Sequence, residues 1–312
     1  MEYSLTLLSK LSSMMLMAAV GYALVKLRLI KESDSKILTT LLVYALQPCL
    51  IFRSMQIDLT PERAMGYAAA VVFAFSCMFT AAIAANLLRK PLRLDPVDMC
   101  TLMFANVGNL VLPVIAMMLG DEMTFYCAGF QLPFNLFVWV YGYILMSGRS
   151  DIPVRKIVLN PNLIALFAGL FFLVTGLKVP AVIDTAMEGL QNMVAGASMM
   201  LVGVVIAGCN LKEVFANKRA YLISAGRLIV IPLLTILLLF ATGFLNRYPQ
   251  YRPVLMVVMI AAAAPAASSV IQLSVLTGRD AAKAGIYNVM STLLCVVTMP
   301  FIIYVYQLFF PI

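Results

Sequence analysis

Leu228-Ile-Val-Ile-Pro-Leu-Leu-Thr-Ile-Leu-Leu-Leu-Phe-Ala-Thr-Gly243 runs without one charged side chain. A helix built from it has no face suited to water, which is what contact with lipid demands. Leu163–Thr175 and Met199–Gly208 read the same way. In hydrocarbon the backbone must satisfy its own hydrogen bonds, so helices or a closed barrel are the available solutions. Long runs that do not alternate exclude the barrel. The composition agrees: of 312 residues, 63% are apolar and 12% charged, and the mean hydropathy is +0.98. A water-soluble chain of this length needs far more charged surface. The sequence therefore predicts an all-α polytopic membrane protein.

Apolar windows bounded by charges and turn residues number ten, near 5–27, 35–56, 64–88, 97–119, 123–147, 160–177, 183–209, 219–243, 252–277 and 282–308. Fifteen Lys and Arg follow the odd-numbered segments and five lie on the opposite side. The positive-inside rule then predicts a cell (inner) membrane protein with both termini on the non-cytoplasmic side. Topology alone accounts for the net charge of +8, and no nucleic-acid partner is expected. Met1–Lys10 lacks the basic start of a cleavable signal and reads as part of the first span.

The chemistry is bounded by absences. There is no histidine, which removes serine–histidine catalysis and His-ligated metal or haem. The six cysteines have no metal-ligand spacing and read as small packing residues. No nucleophile elbow, acidic diphosphate-binding motif or phosphate-binding loop is present. Neither an enzyme nor a cofactor is expected, and ATP-driven transport has no support.

The two halves look alike. Gly21-Tyr-Ala-Leu-Val-Lys-Leu-Arg-Leu resembles Gly169-Leu-Phe-Phe-Leu-Val-Thr-Gly-Leu, Arg63 matches Arg219, and Pro113 matches Pro265. Five is odd, so two five-span copies must face opposite ways, which is a carrier's architecture. The expected division is 1–148, a short cytoplasmic linker at 149–159, and 160–312. Segment 4 contains Phe104-Ala-Asn106-Val-Gly108-Asn109-Leu-Val-Leu-Pro113, and segment 9 contains Ala261-Ala-Ala-Ala-Pro265-Ala-Ala-Ser268-Ser269-Val-Ile-Gln272. Proline, glycine and ready amides or hydroxyls predict two broken helices that cross, with Ser268 and Ser269 able to cap a new helix start. Their N-terminal ends suit an anion such as a carboxylate, and their C-terminal carbonyls suit a cation. Neither break holds an acid, which argues against a cation/proton exchanger.

The candidate substrate-binding residues are Asn106, Gly108, Asn109, Pro113, Gln131, Asn135, Pro265, Ser268, Ser269, Gln272 and Asn288. Gln47, Ser198, Ser291 and Thr292 are further intramembrane polar positions. Arg227, alone in segment 8, reads as a structural charge that snorkels or pairs with a helix C-terminus. Asp184 and Glu188 read as a solvated helix start, with proton coupling left open.

Asn106-Val-Gly-Asn109-Leu-Val-Leu-Pro113, Ala264-Pro265-Ala-Ala-Ser-Ser, Leu276-Thr-Gly278-Arg-Asp280-Ala and Val297-Thr-Met-Pro300 resemble the motifs of the auxin efflux carrier family. Asn160-Pro161, Arg227-Leu-Ile-Val-Ile-Pro232 and Pro48 are similar to family marks as well, so the resemblance covers essentially the whole chain. It implies two inverted five-helix repeats, a scaffold domain from segments 1, 2, 6 and 7, and a transport domain from segments 3–5 and 8–10 crossing at Pro113 and Pro265. It further implies elevator-like export or uptake of a small organic anion such as auxin, malate or malonate. The short Gly148–Leu159 loop resembles bacterial members, and Ala197 departs from the proline many relatives carry there. The coupling ion, proton or sodium, stays open, as does a homodimer through the scaffold. A sodium-coupled symporter of the bile-acid-transporter type and a non-transporting receptor are the alternatives.

Overall fold

A computed structural model describes residues 2–149 and 154–312. Among these residues every regular element is helical. The main helices are α1 (Glu2–Lys26), α2 (Glu32–Ser54), α3 (Pro61–Arg89), α4 (Pro96–Met103), α5 (Val107–Ala128) and α6 (131–147). After them come α7 (Pro161–Thr175), α8 (Ala181–Gly208), α9 (Lys218–Thr242), α10 (Arg252–Ala262), α11 (Ser268–Thr277) and α12 (Ala281–Phe309). Seven of them (α1, α2, α3, α5, α8, α9 and α12) are long and apolar enough to cross a membrane. Leu16, Val72, Leu87, Val174, Leu237 and Val297 stand exposed on the outer surface. Exposed apolar side chains on helix after helix belong against lipid, and the chain is a multi-pass membrane protein. Within the expected linker, 150–153 lie outside the described residues, and Val154–Val158 forms a short helix.

The helices start where the sequence supplies caps. Asp95 with Asp98, Asn160, Asn217 and Asp280 each accept a backbone N–H in the first turn of α4, α7, α9 and α12. Gly176, Gly243 and Gly278 end α7, α9 and α11 at positive φ, as a left-handed C-cap requires. Gly120, at φ 79°, kinks α5 where segments 4 and 5 were expected to part. At the centre, α10 is buried all round from Val254 to Ala262.

Two interruptions meet inside this core. The chain leaves α4 at Phe104 (φ −100°, ψ 121°) and leaves α10 at Ala263. Asn106 N–H donates to Pro265 C=O at 2.8 Å, and Ala267 N–H donates to Phe104 C=O at 2.9 Å. Ala105 and Ala266 thus form an isolated antiparallel bridge.

The expected break at Pro113 is corrected. Pro113 sits in the first turn of regular α-helix after a wide π-turn, Val107–Val111. The wide turn re-aims the hydrogen bonds ahead of the ring, so the missing N–H is absorbed without unwinding. Pro48 follows Leu42–Leu46 and Pro232 follows Gly226–Val230 in the same way. Ser268 and Ser269 are corrected too: Ala267 is the N-cap of α11, and no side chain caps it.

Candidate functional site

The start of α5, the start of α11, and stretches of α2, α6 and α7 enclose a cavity of about 800 Å3. Asn106, Gly108, Asn109, Gln131, Asn135, Ser268, Ser269 and Gln272 all line it. Pro113, Pro265 and Asn288 do not. Pro113 is buried within α5. Pro265 gives its carbonyl to the crossing. Asn288 works behind the break, where its Nδ2 donates to Ala266 C=O at 2.6 Å while Ser291 Oγ accepts from Ala266 N–H at 3.0 Å. These two α12 side chains satisfy backbone that has left its helix, which is the service irregular backbone needs away from water.

A chain of amides runs along the wall. Gln47 Nε2 donates to Asn109 Oδ1 at 2.5 Å, and Asn162 Nδ2 donates to Gln47 Oε1 at 3.1 Å. Asn160 Nδ2 donates to Asn135 Oδ1 at 3.0 Å, and Asn135 Nδ2 donates to Gln131 C=O at 2.8 Å. Gly108 lies beside this chain, and a Cβ there would meet Gln47 Oε1 at 3.5 Å, an ordinary contact. Asn160 and Asn162 were not among the expected site residues. Their signal was the Asn160-Pro161 start of α7, which aims the polar end of a helix at the cavity. Tyr44, Trp139 and Arg155 also line it and were not singled out.

The electrostatics favour negative charge. Helices α5 and α11 both begin at the cavity wall with no side-chain cap. Each such end presents roughly half a positive charge. Among the described residues no carboxylate lines the cavity, and Arg155 is its one charged lining side chain. Gln131 Nε2, Ser269 Oγ and the acceptor Asn162 Oδ1 are buried among the lining residues without a hydrogen-bond partner.

The carbonyls of the opposite helix ends were expected to suit a cation, and they converge on Arg227, 1% exposed. Its Nε donates to Ala264 C=O at 3.0 Å, one terminal nitrogen to Ala262 C=O at 2.7 Å, and the other to Leu102 C=O at 3.3 Å. Snorkelling is excluded, and the pairing with helix C-termini holds.

The cavity mouth lies among exposed Thr40, Arg155 and Leu159. At the other end of α2, Arg53 pairs with Asp184 at 3.0 Å, Glu188 at 3.5 Å and Asp121 at 3.8 Å, while Gln191 Nε2 donates to Asp121 Oδ1 at 2.9 Å. Asp184 and Glu188 are therefore ion-pair partners of α2 rather than merely a solvated helix start. A protein-family model described as "Membrane transport protein" matches residues 6–153 and 150–303. No curated protein matches the chain.

Proposed function

Since the chain belongs to the membrane transport protein family, of the auxin efflux carrier type, we propose that it is a secondary carrier for a small organic anion, a carboxylate, in the cell (inner) membrane. The observation that carries this reading is the pair of uncapped helix starts around one cavity, with amide and hydroxyl donors and, among the described residues, no acid lining it. Carboxylate oxygens take up N–H donors of this kind readily, and the aligned helix dipoles favour their charge.

The architecture behind it is ten spans in two inverted repeats, as in bacterial-type members of the family. Helices α4 with the first part of α5, and α10 with α11, are the crossed pair. A scaffold of α1, α2, α7 and α8 supports a moving unit of α3–α6 and α9–α12. The hydrogen bonds from Gln47 to Asn109 and from Asn160 to Asn135 join these two units, as do the contacts of Arg53 and Gln191 with Asp121. Elevator-like exchange of access breaks both sets. With the Lys- and Arg-rich ends in the cytoplasm, the cavity mouth faces inward and the Arg53 cluster closes the outer side.

Uptake of a panel of mono- and dicarboxylates into proteoliposomes, under imposed proton, sodium and voltage gradients, tests the function. Asn109→Ala is expected to cut uptake about tenfold or more while the protein stays folded in the membrane. Unchanged uptake by that variant removes the assigned site. Asp121→Asn is expected to shift melting by less than about 1 kcal/mol, because the Asp121 side chain is half exposed and stands 3.8 Å from Arg53. The same variant is expected to raise labelling, from the outer side, of a cysteine placed at Gln56. Labelling equal to the parent's refutes the outer closure.

A further inference from the structure

Arg227 is a charge buried where charges are costly, and its partners are three backbone carbonyls. Leu102 belongs to the last turn of α4; Ala262 and Ala264 belong to the end of α10 and the residues just past it. One guanidinium therefore serves the C-terminal ends of two interrupted helices that come from different halves of the chain. Each end carries roughly half a negative charge, so two of them together match a single cation. In carriers with interrupted helices, such carbonyl ends are where a sodium ion is coordinated.

We propose that Arg227 is the resident cation of the crossing, holding the carbonyl set that a sodium ion would need, so that the carrier moves its anion without a coupling metal ion. The proposal rests on the carboxylate-carrier reading and assigns its energetics. A planar fork with several donors suits scattered carbonyls on two helices, and it stays charged when buried better than an ammonium does. A second cation at the same carbonyls meets the guanidinium at contact distance in a low-dielectric interior, where like charges repel strongly. The guanidinium also leaves an imbalance that faces the substrate. It neutralises the C-terminal ends of α4 and α10, whereas the N-terminal ends of α5 and α11 stay positive at the cavity wall. Arg227 is thus a positioning residue: it touches the crossing and acts on the anion through the helix ends.

The test uses the purified full chain, melted in detergent and reconstituted for uptake of labelled malate and malonate. For the wild type, the melting midpoint and uptake are expected to be the same in sodium and in choline. Arg227→Ala opens a space beside the carbonyls. Its uptake is expected to fall about tenfold or more in choline. Its midpoint is expected to rise with millimolar guanidinium or sodium, with partial recovery of uptake, a response that a merely structural role does not produce. If Arg227→Ala does not fold, Arg227→Lys and the wild type decide: both are expected to work equally in sodium and choline. Binding of radioactive sodium by the wild type, or loss of about tenfold or more of its uptake without sodium, overturns the proposal. So does an Arg227→Gln variant with wild-type uptake in choline. If no form transports any member of the mono- and dicarboxylate panel, the carboxylate reading fails, while the melting response to added cations still judges Arg227.

Discussion

Gly203→Val is expected to abolish recovery of folded protein, and Gly203→Ala to cost about 1–3 kcal/mol or more, read from thermal or denaturant melts in detergent. A Cβ on Gly203 would lie 1.8 Å from the Ala18 carbonyl oxygen and 2.7 Å from the Tyr22 nitrogen. Both are backbone atoms of α1, so no side chain can rotate away and α1 must move as a rod. The contact is reciprocal, because a Cβ on Gly21 of α1 would lie 2.2 Å from the Met200 carbonyl oxygen of α8. Small residues at these points let two helices approach closely where lipid offers no hydrophobic drive to hold them together. Gly196→Ala on the same helix is the control. Nothing lies within 4 Å of its would-be Cβ, and the melt is expected to stay within about 0.5 kcal/mol. Equal behaviour of Gly203→Ala and Gly196→Ala would refute close packing of α1 on α8.

The second large effect is expected from Asp98→Ala. Its side chain is 1% exposed and binds four groups: Arg219 at 2.6 Å, Lys283 at 2.8 Å, Tyr287 Oη at 2.8 Å and its own cap partner, Asp95 N–H, at 3.1 Å. These bonds join the start of α4 to the starts of α9 and α12. Removing the acid takes the shared carboxylate from two cations, leaving Lys283 its pair with Asp95 and Arg219 the carbonyls of Leu92 and Arg93, and breaking a buried pair costs about 3–5 kcal/mol. Arg219 is 35% exposed and recovers part of its hydration, which places the loss near the low end. Asp98→Asn keeps the shape and one acceptor, and its melt is expected to fall between the two. The exposed pair Lys178–Asp58 sets the contrast. Lys178 donates to Asp58 and holds that carboxyl below the usual carboxylate range, yet both groups stand in water and Lys178→Ala is expected to change the melt little.

Much of this was legible in the chain because lipid enforces simple rules. Apolar length marks helices, and among the described residues seven helices are long and apolar enough to cross a membrane, whereas segments 4 and 9 are interrupted near Phe104 and near Pro265. Caps such as Asn160, Asn217 and Asp280 announce helix starts locally, and so they can be read locally. The crossing could be read only in part. Pro265 marked one break correctly, but Pro113 misled, since a π-turn can absorb a proline and leave the helix intact. The other break, at Phe104–Asn106, has no proline. It is held open by Pro265, Ala267 and Arg227 from more than a hundred residues away, and local propensity carries no trace of such partners. The polar lining was visible as amides in apolar surroundings. Which of those amides face the cavity and which support the backbone behind it was decided by helix rotation. That is why Asn288 fell on the wrong side of the break, and why Asn160 and Asn162 were not counted.

The bridge between Ala105 and Ala266 also bears on the order in which the chain can be made. Those residues stand 161 positions apart (266 − 105), an interval of roughly 8 to 30 s at ordinary rates of synthesis. Through most of it the carbonyl of Leu102 waits for Arg227, and through all of it the carbonyl of Phe104 waits for the Ala267 N–H. An exposed carbonyl in hydrocarbon is costly, so the newborn first half must shelter that bend in the insertion machinery or beside water until its counterpart arrives. A ribosome stalled between the two halves would release a membrane segment that can insert but cannot finish.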